Sequence, residues 1–227
     1  MFDLKDFHIA ISKDRLASMP MVTFAGDISL VNTPEEAAKA LEYLKTQPRV
    51  GFDTETRPSF RKGHMNEVAL MQVSTLDRAF LFRLNNIGID PVRDFLQDDT
   101  ILKIGLSLRD DFQMLHRRGE FAPAGFVELQ ELVKQFGITD ASLQKIYGII
   151  FGGRISKSQR LSNWEAPSLS HAQQVYAAID AWACLRIYNT LEAGGFDPDS
   201  SPFKRPVSVD VPPPTDVDAV GVPPIVN

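Results

Sequence analysis

The stretch Val50-Gly51-Phe52-Asp53-Thr54-Glu55-Thr56 limits what this chain can become more than any other part of it. An apolar run from Val50 to Phe52 has the character of a strand entering a core, and two carboxylates follow at its end. Side chains alternate along a strand, so Asp53 and Glu55 share one face and Thr54 takes the other. Two acids side by side at the edge of a core repel each other and resist desolvation unless cations sit between them. A strand that simply runs out into solvent can also end this way. The two readings part on whether further carboxylates arrive where they converge on the same strand end.

The rest of the chain is expected to alternate strands and helices. Residues 1–19 have mixed polarity and no period, and read as an N-terminal arm or peripheral element; 21–28 is a candidate edge strand. Asn32-Thr33-Pro34-Glu35-Glu36 marks a helix start, with Thr33 as N-cap, Pro34 in the first turn and Glu36 closing a capping box. That helix should run to about Leu44. Further strands are expected at 67–74, 78–84, 101–106 and 126–129, and helices at 91–96, 109–118, 131–136, 143–151 and 170–191. Residues 57–66 read as irregular, with basic Arg57, Arg61 and Lys62. This order implies an α/β domain over 20–196, a mixed five-stranded sheet flanked by helices. Beyond residue 196, eight of the chain's 15 prolines fall without any apolar period, the composition of a disordered tail.

Composition narrows the function classes. At 227 residues, 44% hydrophobic and 23% charged, the chain is an ordinary globular protein, long enough for a sizeable core. No run approaches the roughly 18 apolar residues of a membrane span, so no membrane partner is expected. The N-terminal sequence has acids where a secretory leader has a basic and then an apolar segment, which points to the cytoplasm. Nothing marks a protein partner. Cys184, the single cysteine, lies in a helical pattern and reads as a small buried hydrophobe, not a nucleophile. A net charge of −5 speaks at first against a nucleic-acid partner. Much of it sits in 197–227, where five Asp face only Lys204 and Arg205, and divalent cations on a carboxylate cluster would offset the remainder.

More carboxylates do arrive. Arg109-Asp110-Asp111-Phe112 opens a helix just after a buried strand, a place where acids also serve to offset the helix dipole. Tyr176 and Asp180 lie four apart and share a face of the last helix, where Ala177, Ala178, Ala181 and Ala183 would let that helix lie close to a sheet. Acid-x-acid at a strand end, Asp at a helix start and Tyr-x-x-x-Asp on a late helix form a specific set. It resembles the DEDD superfamily of 3′→5′ exonucleases in its tyrosine-bearing subclass. The likeness is greatest to the exonuclease domain of the Werner-syndrome helicase, then to ribonuclease D and the proofreading domain of DNA polymerase I. It runs from about Val50 to Leu191 and takes in Glu67 to Val73 and Ser162-Asn163-Trp164.

The resemblance implies a ribonuclease H-like exonuclease fold. It also implies that Asp53, Glu55, Asp111 and Asp180 bind metal, and that Tyr176 positions the attacking water. Asp111 is preferred to Asp110 because the family pattern runs without gaps from Lys103-Ile104-Gly105 to the acid. Many relatives have Asn where this chain has Ser107, which bears on a minor substrate contact. Thr54, Met71 and Gln72 occupy positions that touch the terminal nucleotide in relatives.

The chemistry of the acids leads to the same place. Clustered carboxylates suit hard ions, Mg²⁺ or Mn²⁺, and two such ions about 3.5–4 Å apart can clamp an in-line phosphoryl displacement. Tyrosine, with an ordinary pKa of about 10, suits orienting the water better than acting as a full base. Arg154, Lys157 and Arg160 punctuate the loop before the last helix, either tracking phosphates or forming an ordinary solvated loop. The expected activity is metal-dependent release of nucleoside 5′-monophosphates from 3′ ends of DNA or RNA. The alternative is a module of the same fold that binds such ends without cutting.

Overall fold

The computed structural model describes residues 7–59, 63 and 65–207. In chain order the elements are β1 (Phe7–Ile9), α1 (Lys13–Ala17), β2 (Asp27–Val31), α2 (Pro34–Leu44), β3 (Arg49–Thr56), β4 (Val68–Ser74), β5 (Arg78–Arg83), α3 (Leu84–Ile87), α4 (Asp90–Gln97), β6 (Leu102–Gly105), α5 (Leu108–Leu115), β7 (Phe126–Glu128), α6 (Leu129–Lys134), α7 (Leu143–Phe151), α8 (His171–Glu192) and β8 (Lys204–Pro206).

Six strands form the main sheet in the order β2-β5-β4-β3-β6-β7. β4 alone runs against its neighbours; β3 and β6 are parallel, as are β6 and β7, and β2 and β5. The strands β3 and β6 therefore end at the same edge of the sheet, and α5, which begins just past β6, starts beside the acids that close β3. All of β4 is buried, whereas β3 is buried over Val50 to Phe52 and half-exposed from Asp53 onward. The organising strand leaves the core at its first acid.

One face of the sheet is covered by α8. Ala177, Ala178, Ala181 and Ala183 are fully buried, and the helix comes so near that a Cβ on Gly51 would lie 1.8 Å from the Ala181 carbonyl oxygen. No side chain fits between them. The other face packs Val50, Phe52, Met71, Val73, Phe80 and Phe82 against α2, α4 and α5. There Phe126 meets Phe52 edge-on at 5.1 Å and Phe112 at 4.8 Å, which seats α5. Lys103 is wholly buried in β6; its ammonium donates to the Asp98 carbonyl and lies over the Phe126 ring at 5.0 Å.

Local signals in the sequence survive into the fold. Thr33 and Glu36 form the reciprocal capping box of α2, with Glu36 N–H donating to Thr33 Oγ1 at 3.2 Å. The expected helix over 143–151 is α7, and Ser170 and Gln173 cap α8 in the same reciprocal manner.

Three expectations need correction. The main sheet has six strands, not five: the edge strand forms over Asp27–Val31, where exposed and half-buried residues alternate, and not over 21–28. Of the two readings of residues 1–19, an arm or a peripheral element, the described part narrows the choice to the second. Ile9, Ile11 and Leu16 are buried, and Ile9 N–H donates to the Gly137 carbonyl at 2.7 Å. Nor is order lost at 197: β8 pairs antiparallel with β1, and Ser201 is buried. In both cases the order comes from a partner far off in sequence, which local composition does not register. The remainder of the expected tail, 208–227, lies outside the described residues, as do Arg61 and Lys62.

Candidate active site

Asp53 and Glu55 project from β3 toward α8, and Asp180 comes down from α8 to meet them. One carboxylate oxygen from each lies within 4.8 Å of those from the other two, Asp180 buried and the other two half-buried. Oxygen donors at this spacing fit a hard divalent cation. Tyr176, one turn before Asp180 on the same face of α8, places its phenol beside the Asp180 carboxylate. The tyrosine ring is backed by fully buried Trp164, with ring centroids 5.9 Å apart.

Asp111 reaches the site from the opposite side. It sits in the first turn of α5, and the Thr54 hydroxyl, on the face of β3 turned away from α8, donates to its Oδ1. Asp111 is close enough to raise the pKa of Asp53 and Glu55, yet stands outside the group of three. Asp110 beside it is exposed.

The electrostatics are those of acids crowded without counter-charge. Burial pushes Asp53 well above the usual carboxylate range, with Asp111, Asp180 and Glu55 adding to the rise. Glu55 is pushed up to about 9 by burial and then by Asp180 and Asp111, against a smaller opposing pull from Arg160. Asp111 and Asp180 are each raised to about 7, mainly by burial; the Thr54 hydrogen bond opposes this at Asp111, and Tyr176 and Lys157 oppose it at Asp180. Burial followed by the charge of Asp180 pushes the Tyr176 phenol up as well. A site in which several carboxyls hold protons near neutrality is one whose charged form awaits cations.

The basic loop divides. Lys157 and Arg160 line a cavity of about 140 Å³ together with Asp53, Tyr176 and Asp180. Arg154 does not reach it; it lines a neighbouring cavity beside α1. Of the other expected substrate contacts, Thr54 has its hydroxyl committed to Asp111. Met71 and Gln72 are fully buried and present no surface to a nucleotide. Met71 pairs with Thr54 across the sheet and belongs to the core on the face away from α8, while Gln72 lies directly opposite Asp53. Their nearness to β3 in register is real, but it is nearness through the sheet and not across its rim.

Two positions carry more than the sequence conveyed. Ser107 has φ +64°, the one left-handed residue other than glycine among the described residues. Asn tolerates that conformation best after glycine, so the residue at 107 bears on backbone geometry before α5. Glu128, read only as the end of a strand, takes the N–H groups of Ser107 at 3.1 Å and Leu108 at 2.8 Å, fixing the turn that presents Asp111. Its position immediately before α6 was the only local sign of a capping role. Cys184 is buried and lines the site cavity; burial, then Asp53, pushes its thiol up, as suits an inert side chain.

Comparison with known proteins agrees with this geometry. The chain is 24% identical over 191 residues to an exonuclease mut-7 homolog of Aedes aegypti, covering 73% of this chain and 26% of that protein. It is 30% identical over 150 residues to the bifunctional 3′–5′ exonuclease/ATP-dependent helicase WRN of Mus musculus, covering 63% and 11%. With ribonuclease D of Gluconacetobacter diazotrophicus the figures are 27% over 168 residues, 73% and 42%. The chain thus spans less than half the length of each of these relatives. Among solved structures, the Nibbler EXO domain of Aedes aegypti superposes with a TM-score of 0.66 at 23% identity, covering 78% of this chain and 96% of that one. Escherichia coli RNase D gives 0.66 at 23%, covering 74% and 46%. Both share the ribonuclease H-like exonuclease fold. No helix among the described residues is long and apolar enough to cross a membrane. The profile of one family matches residues 28–194, from β2 to the end of α8, and so takes in every element that brings the acids together: the chain belongs to the 3′–5′ exonuclease family.

Proposed function

We propose that this chain is a metal-dependent 3′→5′ exonuclease that removes nucleoside 5′-monophosphates from the 3′ ends of DNA or RNA. The observation that carries the reading is the meeting of Asp53, Glu55 and Asp180, with Tyr176 beside Asp180, on elements that lie within the family match. Asp53, Glu55, Asp111 and Asp180 would hold two divalent cations, Mg²⁺ or Mn²⁺. Bound there, the cations lower the pKa of the attacking water and offset charge on the leaving 3′-oxygen. The chain's own residues do the rest. Asp53, near all three other acids, is suited to be the shared ligand. Tyr176, whose raised pKa keeps its proton in place, orients the water and does not deprotonate it. Lys157 and Arg160, at the rim of the same cavity, face the incoming phosphate.

Neighbours of known structure include Trypanosoma brucei RNase D in complex with RNA, at 18% identity and a TM-score of 0.65, and Escherichia coli RNase D, described as an exoribonuclease. The test is digestion of end-labelled single-stranded DNA, recessed duplex and RNA side by side, with Mg²⁺ and then Mn²⁺. Stepwise shortening from the 3′ end that ceases with a chelator supports the reading. Tight binding of 3′ ends with no shortening under either ion would replace it with a non-cutting end-binding module.

A further inference from the structure

Two cavities lie side by side along the loop before α8. The smaller, at the acids, shares Ser142, Gln144, Ile155, Ser156 and Lys157 with a larger one of about 350 Å³. Beyond that shared wall their characters diverge. The small one ends on Asp53 and Asp180. The large one has Lys13, Lys145, Arg154 and Lys157 in its lining and no acid at all. Lys145 is paired with Asp140 at 2.5 Å. Arg154, by contrast, has its Nε buried without a hydrogen-bond partner. That atom is closed off from the cavity, but the rest of the guanidinium is in no ion pair among the described residues, and the guanidinium fork matches phosphate oxygens.

The far wall is made by the N-terminal segment. Lys13, Leu16 and Ala17 of α1 and the exposed Met21 line it. The segment is fixed to the loop by a parallel bridge in which Arg154 N–H donates to the Pro20 carbonyl at 2.9 Å and Val22 N–H to the Arg154 carbonyl at 3.0 Å. These residues precede 28, where the family match begins. We infer that α1 and the segment up to Val22 complete a basic compartment that holds the sugar-phosphate backbone of a single strand just 5′ of the nucleotide being removed. Lys13 and Arg154 bind its phosphates, and Lys157 bridges to the acidic end. The volume is at the lower end for a ligand pocket, enough for backbone and a base edge, and the exposed thioether of Met21, flexible and polarizable, can rest against a base. This inference rests on the exonuclease reading for its direction, since the acidic compartment must take the 3′ end. It makes the N-terminal segment, acting with Arg154 and Lys157 of the shared domain, the source of any preference for longer strands.

The test separates the compartment from the chemistry. The wild type, Lys13→Glu and Arg154→Gln are compared on the p-nitrophenyl ester of thymidine 5′-monophosphate, which has no upstream phosphate, and on a single strand of about eight nucleotides, a usual length for a binding groove. Strand affinity is also measured in Ca²⁺ across a range of salt. Each substitution is expected to raise KM for the strand and to flatten the slope of log affinity against log salt by roughly 0.7, one single-strand phosphate contact. Ester hydrolysis by Lys13→Glu should stay at the wild-type rate. An unchanged KM and an unchanged salt slope in Lys13→Glu, whose exposed position leaves folding intact, would overturn the inference whatever Arg154→Gln does. If the wild type cuts neither substrate, it is the exonuclease reading that fails, and the salt slopes in Ca²⁺ still decide whether the compartment binds phosphates.

Discussion

The Thr54 hydroxyl donates a hydrogen bond to Oδ1 of Asp111, tying the end of β3 to the first turn of α5. Thr54 lies on the face of the strand opposite the two acids that flank it, so the middle residue of Asp-Thr-Glu serves the site by holding a fourth carboxylate at its border. The bond lowers the pKa of Asp111 against the larger effect of burial, which leaves it at about 7. Thr54→Val keeps shape and volume and removes the donor. The Asp111 titration, followed by side-chain NMR on metal-free protein, should move above about 7, and Thr54→Ser should restore it. A Val variant titrating at or below the wild-type value would mean that the bond does not govern this carboxyl.

Metal-free protein should lose stability as pH rises. Unfolded carboxyls titrate near 4, whereas Asp111 and Asp180 hold their protons to about 7 and Glu55 to about 9. Between those values the folded state binds more protons than the unfolded one, so stability is fully present below about pH 4 and declines through about 7 to 9. Lys103, which burial pushes down to about 8, acts in the opposite sense only above that value. Stability in a chelator, followed as melting temperature, should therefore fall most clearly between about pH 4.5 and 7.5, the unfolding free energy dropping by up to about 1.4 kcal/mol per group for each pH unit. Millimolar Mn²⁺ should remove most of the decline, because a bound cation restores an ordinary carboxylate. A metal-free profile that is flat or rises over this range would contradict the crowded-acid account.

The turn into α5 offers a test on stability alone. A left-handed residue other than glycine costs roughly 1–2 kcal/mol, and Ser107 adopts φ +64° while its hydroxyl accepts from Gln130 Nε2 at 3.0 Å. Ser107→Asn suits the backbone better and keeps a side-chain acceptor. Its melting temperature should rise by about 2–4 °C, the change that about 1 kcal/mol produces in a protein of this size. A fall would show that the Gln130 contact outweighs the backbone strain.

What the sequence made legible was local. Val50 to Phe52 and the seven buried residues of β4 announce themselves as strands because both faces of a central strand are covered. Thr33 with Glu36, and the four alanines of α8, declare a cap and a close helix–sheet contact through side-chain chemistry alone. Strand alternation put Asp53 with Glu55 and helix periodicity put Tyr176 with Asp180, while the resemblance to the exonuclease family implied that the two pairs meet. The parts that stayed hidden depend on partners distant in the chain. β1 meets β8 across almost the whole sequence, Glu128 caps a helix 20 residues behind it, and Thr54 finds Asp111 57 residues on. Met71 and Gln72 misled for a related reason, since adjacency in a sheet does not reveal which neighbours face the solvent.

The register of the third acid can be settled by a pair of variants. Asp111 faces Thr54 at the site, whereas Asp110 is exposed in the same first turn, where an acid is worth about 0.3–1 kcal/mol to the helix. Asp111→Asn should cost orders of magnitude in strand cleavage with little loss of melting temperature. Asp110→Asn should leave cleavage within about twofold and lower stability by no more than that dipole interaction. The opposite pattern would shift the metal-binding residue by one and remove the role given to Thr54.

Tyr176 provides the sharpest separation between binding a cation and placing a water. Its phenol lies beside Asp180, its ring packs against Trp164, and burial and then the surrounding acids push its pKa upward, so it can neither serve as a base near neutrality nor bring charge to a cation. Tyr176→Phe removes only the donor. Asp180 loses a neighbour that had lowered its pKa, an effect a bound cation should offset, so divalent-ion affinity measured by calorimetry should change little. Strand binding should also persist, which places the loss in kcat and leaves KM near its wild-type value. A positioned group of this kind contributes roughly 10²–10⁴-fold, and single-turnover kinetics under Mg²⁺ should show a decrease of that order. Asp53→Ala, by contrast, should abolish calorimetric ion binding and turnover together. Near wild-type turnover in Tyr176→Phe would leave the hydroxyl as no more than a structural partner of Asp180, and the water would have to be placed by one of the carboxylates instead.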